Sequence, residues 1–178
     1  APAQEPVRDE WLPLAAGNQW TYRSDYDDVT EFVHEVVGTE KVGDVECFVV
    51  EHRSLNPSYD GPRLLRKEWL SRGGEGTLIH RLQRGRSLME VDKPFFKIKR
   101  DLRKNDEWEG EARIAENPPR FHAWVEDEVD VEVPAGKYRA QRLRTRVEAG
   151  PKYTAEGFEW YARGVGLVKA EMTLRIGA

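Results

Sequence analysis

Four histidines, His34, His52, His80 and His122, are the residues whose type best suits metal ligation or proton transfer. No two lie within helical or alternate-strand reach of each other, so a zinc-type site would need three distant segments to converge. No metal site is expected. Ser24, Ser71 and Ser87 are nucleophiles by type, but none sits in a G-x-S-x-G elbow, and P-loop and G-x-G-x-x-G patterns are missing. Asp25-Tyr26-Asp27-Asp28 is acidic enough for a weak cation site, yet it lacks the calcium-loop pattern and reads as a solvated hairpin turn. The 32 acidic residues do not single out the carboxylate pair that glycoside chemistry needs. Cys47 lies in the apolar run Val45 to Val50 and reads as a buried, inert thiol. No catalytic residue and no cofactor is expected.

The remaining chemistry is non-covalent. Trp20, Tyr22, Trp69, Trp108, Trp124 and Trp160 are large aromatics in strand-like frames. On a curved sheet they either line a hollow for an apolar or amphipathic ligand or fill that hollow as core. These six are the candidate ligand-binding residues, acting through area and shape. Lys93 to Lys104 is a basic strip interleaved with Phe95, Phe96, Ile98 and Leu102. It suits anionic headgroups or an acidic partner, or it is a plain strand with Phe96 and Ile98 inward and Lys97 and Lys99 in water.

The elements that must carry these residues have a period of two. Val29 to Val37, Val45 to Arg53, Leu64 to Leu70 and Thr77 to Leu82 alternate in this way, with Gly38 to Asp44 as a hairpin loop. Phe95 to Leu102, Trp108 to Ile114, Phe121 to Val133, Tyr138 to Val147, Phe158 to Ala162 and Leu167 to Ile176 follow. Short links between them require antiparallel pairing. Tyr138 to Val147 also has helical spacing, but Pro134-Ala135-Gly136-Lys137 before it favours a hairpin. The expected fold is all-β: a single strongly curved antiparallel sheet, a meander or half-barrel of about ten to eleven strands with little helix. Residues 11–178 would form this one domain, behind a flexible segment at 1–10.

One hairpin can be worked through in detail. Val125, Val129, Val131 and Val133 share a face, and Glu126, Glu128, Asp130 and Glu132 share the other. The next strand offers Arg139, Arg142, Arg144 and Arg146. A four-residue loop from Pro134 to Lys137 sets Val133 opposite Tyr138 and Glu132 opposite Arg139. A β-bulge near Gln141 and Arg142 then brings Glu128 to Arg144 and Glu126 to Arg146. The ladder is either a charged recognition stripe or a solvated outer face.

Composition excludes several classes. With net charge −4, the 178-residue chain lacks the basic footprint of a general nucleic-acid binder. No apolar run approaches the roughly 20 residues of a membrane span. The lone cysteine forms no internal disulfide. The start, Ala1 to Pro6, fits either a tether left by export processing or a frayed terminus.

Four segments carry a resemblance. Trp11-Leu12-Pro13-Leu14 with Gly17-Asn18-Gln19-Trp20-Thr21-Tyr22 resembles the P-L-x-x-G-x-x-W-x-Y opening of exported bacterial proteins and lipoproteins of unknown function. Val133 to Tyr138 is similar to their V-P-A-G-x-[FY] hairpin, and Trp160 to Lys169 to their W-Y-A-x-G-V-G-L-V-K segment. Asp106-Glu107-Trp108 resembles their G-D-x-W element, with Asn105 in place of the glycine. The resemblance implies a half-barrel similar to the lipoprotein carriers LolA and LolB, and a periplasmic or cell-surface location. It implies no catalytic residues. A lipobox cysteine and the long lid helices of the carriers are not seen. The leading expectation is a non-enzymatic envelope protein whose concave face binds a lipid or other apolar small molecule. Its rival is an interaction module with a filled core that engages an envelope protein or polymer; an uncharacterised hydrolase is third.

Overall fold

The computed structural model describes residues 10–25, 30–56, 58, 60–113 and 118–177. Each alternating run has its centre in a strand, but the run from Phe95 leaves the sheet after Lys99 and that from Trp108 after Glu111. Val29 and Ile114 lie outside the described residues. In chain order the strands are β1 (Gln19–Ser24), β2 (Thr30–Val42), β3 (Val45–Ser54), β4 (Arg63–Gly73), β5 (Gly76–Arg84) and β6 (Ser87–Lys99). They continue with β7 (Glu107–Glu111), β8 (Arg120–Val133), β9 (Gly136–Ala149), β10 (Tyr153–Ala162) and β11 (Gly166–Ile176). Tyr138 to Val147 lies inside β9, and the described residues contain no helix. No helix among them is therefore long and apolar enough to cross a membrane.

The strands form two sheets, which corrects the expectation of one curved half-barrel sheet. β1 to β6 pair in order as a six-stranded antiparallel sheet, and β7 to β11 as a five-stranded one. The ladder breaks after β6, where residues 100–106 leave the sheet, and the isolated bridge Glu90↔Arg113 links the two sheets beyond that point. An open half-barrel leaves one apolar face in water. Folding the second sheet over the first hides that face and leaves the charged residues outside.

The inner faces meet in two clusters. Val36, Val50, Leu70 and Leu82 of the first sheet pack with Phe95, which reaches Phe121 of the second. Ile98 packs with Trp11 and with Val125, Leu143 and Tyr161 of the second sheet. The closest approach is at Gly110: a Cβ there would lie 1.9 Å from Cγ of Phe95. Phe121, paired with Gly110 across β7 and β8, stacks on the Phe95 ring with centroids 5.3 Å apart. Gly110→Ala is expected to destabilise the fold by about 1–3 kcal/mol through overpacking. Urea unfolding reads this directly, and an unchanged midpoint would show that β6 and β7 separate freely.

The far seam is closed by side chains. Trp20 Nε1 donates to the Val165 carbonyl at 2.6 Å, and Tyr22 Oη donates to the Leu167 carbonyl at 2.8 Å. Gly166, at φ 106°, leaves room for the indole; a Cβ there would sit 2.9 Å from Trp20 Nε1. The two aromatic segments at opposite ends of the chain thus touch each other across this seam. Because β1 and β11 share no ladder, the barrel is not closed.

Of the expected flexible segment 1–10, residues 1–9 lie outside the described residues, as do 26–29 of the acidic turn. Glu10 accepts a backbone hydrogen bond from Gly164 at 2.7 Å, and Trp11 Nε1 donates to the Arg100 carbonyl at 2.9 Å.

The β8–β9 hairpin forms in a different register from the expected one. Its loop is Pro134-Ala135, so Val133 faces Gly136, Glu132 faces Lys137 and Asp130 faces Arg139. The irregularity falls on β8 at Glu126 and Asp127, which bulge opposite Arg142, rather than on β9. Acid still meets base: Glu126 pairs with Arg142 at 2.7 Å and Asp130 with Arg139 at 3.2 Å. The expected Glu128–Arg144 and Glu126–Arg146 oppositions do not occur, because the shorter loop moves every partner.

Candidate functional site

Ionisable groups gather in two places, one between the sheets and one outside. The register of the first sheet builds the inner group. Trp20, His34, His52 and Arg66 stand side by side in one row across β1 to β4. The next row is Val36, Val50, Glu68 and Leu82, so Glu68 is the single charge in an apolar line. Bulges shape this group, and His80 is the extra residue in β5 that sets Glu68 opposite Leu82. Val37 is the extra residue in β2 that brings His34 opposite His52. Lys97 is the extra residue in β6, lying between Phe96 and Ile98, which pair with Leu78 and Thr77.

A bulge re-aims a side chain. Lys97 therefore turns inward and donates to Glu68 Oε1 at 3.1 Å. This corrects the reading of a plain strand with Lys97 in water and Phe96 inward; Phe95 and Ile98 are the buried residues instead. His52 Nε2 lies 3.2 Å from Glu68 Oε2, and Arg66 Nη2 lies 3.4 Å from His52 Nδ1. A guanidinium only donates, so Nδ1 accepts and Nε2–H donates to the carboxylate. His52 is thereby held neutral. Its ring meets the His34 ring at a tilt of 55° with centroids 3.8 Å apart, and the Tyr22 ring lies 4.6 Å from that of His34.

The electrostatics follow from burial and from two cations, Arg66 and Lys97. Burial alone would raise the Glu68 carboxyl, but Arg66, Lys97 and the His52 hydrogen bond outweigh it and hold the group well below the usual range. Burial pushes His52 down to about 4, assisted by Arg66 and opposed by Glu68. His34 falls to about 2, through burial first and then His52, Arg66 and Lys97. Tyr161, fully buried, and Tyr22 are both raised, chiefly by burial. Both nitrogens of His52 are engaged and the carboxylate is neutralised. The arrangement holds charge inside the fold; its donors and acceptors are directed at one another.

Elsewhere, Ser71 Oγ lies 2.7 Å from His80 Nε2 on the outer side of the first sheet. Among the described residues no carboxylate bonds to His80, so the pair lacks the orienting acid of a triad. His122 Nε2 meets Glu107 Oε2 at 2.9 Å. No group of three His, Cys, Asp or Glu side chains suited to a metal occurs among the described residues.

The outer group lies on the second sheet. Cross-strand register places Trp124, Arg144, Phe158 and Glu171 in one row, with Arg142, Trp160 and Lys169 in the next. Cations lie over rings throughout: Arg144 is 4.2 Å from the Trp124 centroid, Arg142 5.3 Å from Phe158, and Lys169 4.8 Å from Trp160. Arg142 pairs with Glu126 at 2.7 Å and Lys169 with Glu171 at 2.5 Å. Arg144 has no carboxylate partner among the described residues, and its buried Nε has no acceptor. Beside it runs an open groove of about 440 Å³, lined by Arg144, Thr154, Glu156, Phe158, Glu171 and Arg175 among others.

The six candidate aromatics do not share one surface. Trp20 and Tyr22 stand at the seam, and Trp108 packs on the inner cluster around Val125. Trp69 covers Cys47 and Val49 on the outer side of the first sheet, where its Nε1 donates to Glu40 at 2.8 Å. Trp124 and Trp160 stand on the outer side of the second. Sequence reasoning missed Glu68, Arg66 and Tyr161, since one acid among many carries no local signal. Arg144 was named only as a ladder partner; its spacing with Arg142 and Arg146 was the available signal.

The chain is a two-sheet antiparallel β protein with side chains packed between the sheets. No protein-family model and no curated protein matches it. A solved structure of a candidate lipoprotein from Parabacteroides distasonis is similar over 95% of each chain at 14% identity, with a TM-score of 0.50. A candidate exported protein with a YmcC-like fold from Bacteroides fragilis covers 94% of this chain and 95% of its own at 13% identity, with a TM-score of 0.49. At such identity the likeness to the first is one of fold.

Proposed function

We propose that this chain is an exported, non-enzymatic module of the bacterial cell envelope that binds an acidic polysaccharide on the outer face of its second sheet. The observation that carries this reading is Arg144, a guanidinium seated on Trp124 with no carboxylate partner among the described residues, at the edge of an open groove. The guanidinium suits a carboxylate or phosphate on a sugar, Trp124 between Arg144 and the stacked His122 holds it in place, and the Phe158 ring in the groove wall adds apolar surface. Glu156, Thr154 and Arg175 add groups for hydroxyls. Export is supported by the fold shared with the Parabacteroides candidate lipoprotein and by the aromatic and glycine segments at the two ends.

The reading with a ligand between the sheets has less support. That space holds Phe95 against Gly110, and Glu68 with its partners. A cleft beside Trp11 and Ile98 measures about 20 Å³, room for a single water. Of the six aromatics, Trp124 belongs to the proposed surface, as the support of Arg144; Trp160 on the same side is buried.

Affinity electrophoresis in alginate, with uncharged dextran as the control, tests the proposal. Alginate is expected to retard the protein and dextran to leave it unmoved. Arg144→Gln and Trp124→Ala should each weaken retardation by about tenfold. Equal mobility with and without alginate would overturn the reading.

A further inference from the structure

β11 ends the second sheet and pairs with β10 alone. From Ala170 to Ile176 every residue on it is exposed. Met172, Leu174 and Ile176 alternate along one face at 43%, 55% and 77% exposure. Glu171, Thr173 and Arg175 alternate along the other. Natural edge strands are commonly guarded by proline, bulges or charges that repel a second strand. From Ala170 onward this edge has no proline and no bulge, and its two charges are of opposite sign.

We propose that β11 pairs antiparallel with β11 of a second copy of this chain, about a two-fold axis at Thr173. In that register Thr173 meets itself, Glu171 of each copy meets Arg175 of the other, and Met172 meets Leu174. One face joins acid to base twice, and the other joins apolar to apolar twice. Neighbouring registers fail on charge. Centring on Met172 sets Lys169 opposite Arg175, and centring on Glu171 sets that carboxylate opposite itself. Centring on Leu174 moves Glu171 past Arg175 to face Gly177. Like charges directly opposite are destabilising. The Thr173 register has the self-complementarity an isologous two-fold contact requires. It joins two five-stranded sheets edge to edge. Because a single strand pair buries little area, the dimer is weak and forms with rising concentration.

Sedimentation velocity over a concentration series, without polysaccharide, reads this separately from the alginate test. The unaltered chain is expected to shift from monomer to dimer. Glu171→Arg and Arg175→Glu should each raise the dissociation constant about tenfold or more, since each creates two like-charge pairs per dimer. Combining the two reversals should restore dimerisation. As an independent readout, Thr173→Cys should cross-link between copies through a short bifunctional maleimide, and Ser87→Cys on a distant hairpin should not. A monomer at all concentrations would overturn the proposal. So would self-association indifferent to either reversal, or equal cross-linking at both cysteines.

Discussion

Lowering the pH from 7 to 5 is expected to remove roughly 2 kcal/mol of folding stability for each of His34 and His52. In the unfolded chain both imidazoles take up a proton near pH 6.5. In the fold His52 stays neutral down to about 4 and His34 to about 2, because both are buried among Arg66 and Lys97. The one group that favours their charged forms, Glu68, is already neutralised by those two cations. With folded values below unfolded ones, the unfolded state binds more protons throughout the window. Stability is therefore full above about pH 6.5 and falls as the pH drops toward 4. Glu68, itself held low, adds a second loss below its unfolded value of about 4.3. Urea unfolding at pH 7, 6 and 5 measures the slope. The double variant His34→Gln, His52→Gln should flatten it over this range while unfolding more readily at pH 7. A flat profile for the unaltered chain would mean that water reaches both rings.

The period of two made the strands legible, and the short links made their antiparallel order legible. Trp20, Trp160 and the glycines around them were visible as a pair of unusual segments, and they meet. The inner group was not visible, for a physical reason that recurs at each of its members. Val37 and Lys97 are bulges, and a bulge leaves no mark in a pattern that only alternates. Without Val37 the β2–β3 hairpin, closed at Val42 and Val45, would set His34 opposite Arg53 instead of His52. The break into two sheets was equally hidden, because it depends on Phe95 finding a glycine at position 110 in the other sheet. The outer face was half legible. Its arginines stood out by spacing, but their partners depended on a loop two residues shorter than the one the acid–base pattern suggested.

Lys97→Met is expected to destabilise the fold by about 3–5 kcal/mol, far more than the loss of a surface lysine. Glu68 is 3% exposed, and Lys97 is one of the two cations that keep it ionised there. Methionine fills the aliphatic path of the lysine and removes only its charge, so the effect reports the carboxylate left behind. Arg66, 3.4 Å from Glu68, is half in solvent and compensates in part. Lys99→Met, two residues on, is the matched control. Its ammonium lies over Trp108 at 5.4 Å on the outer rim, and its loss should cost below about 1 kcal/mol. Adding Glu68→Gln to Lys97→Met should recover stability relative to Lys97→Met alone, because the second change removes the charge that the first strands. Chemical unfolding of the four proteins at pH 7 decides the matter. Equal losses at Lys97 and Lys99, or additive losses in the double variant, would place Lys97 in water and remove the bulge as the device that fills the space between the sheets.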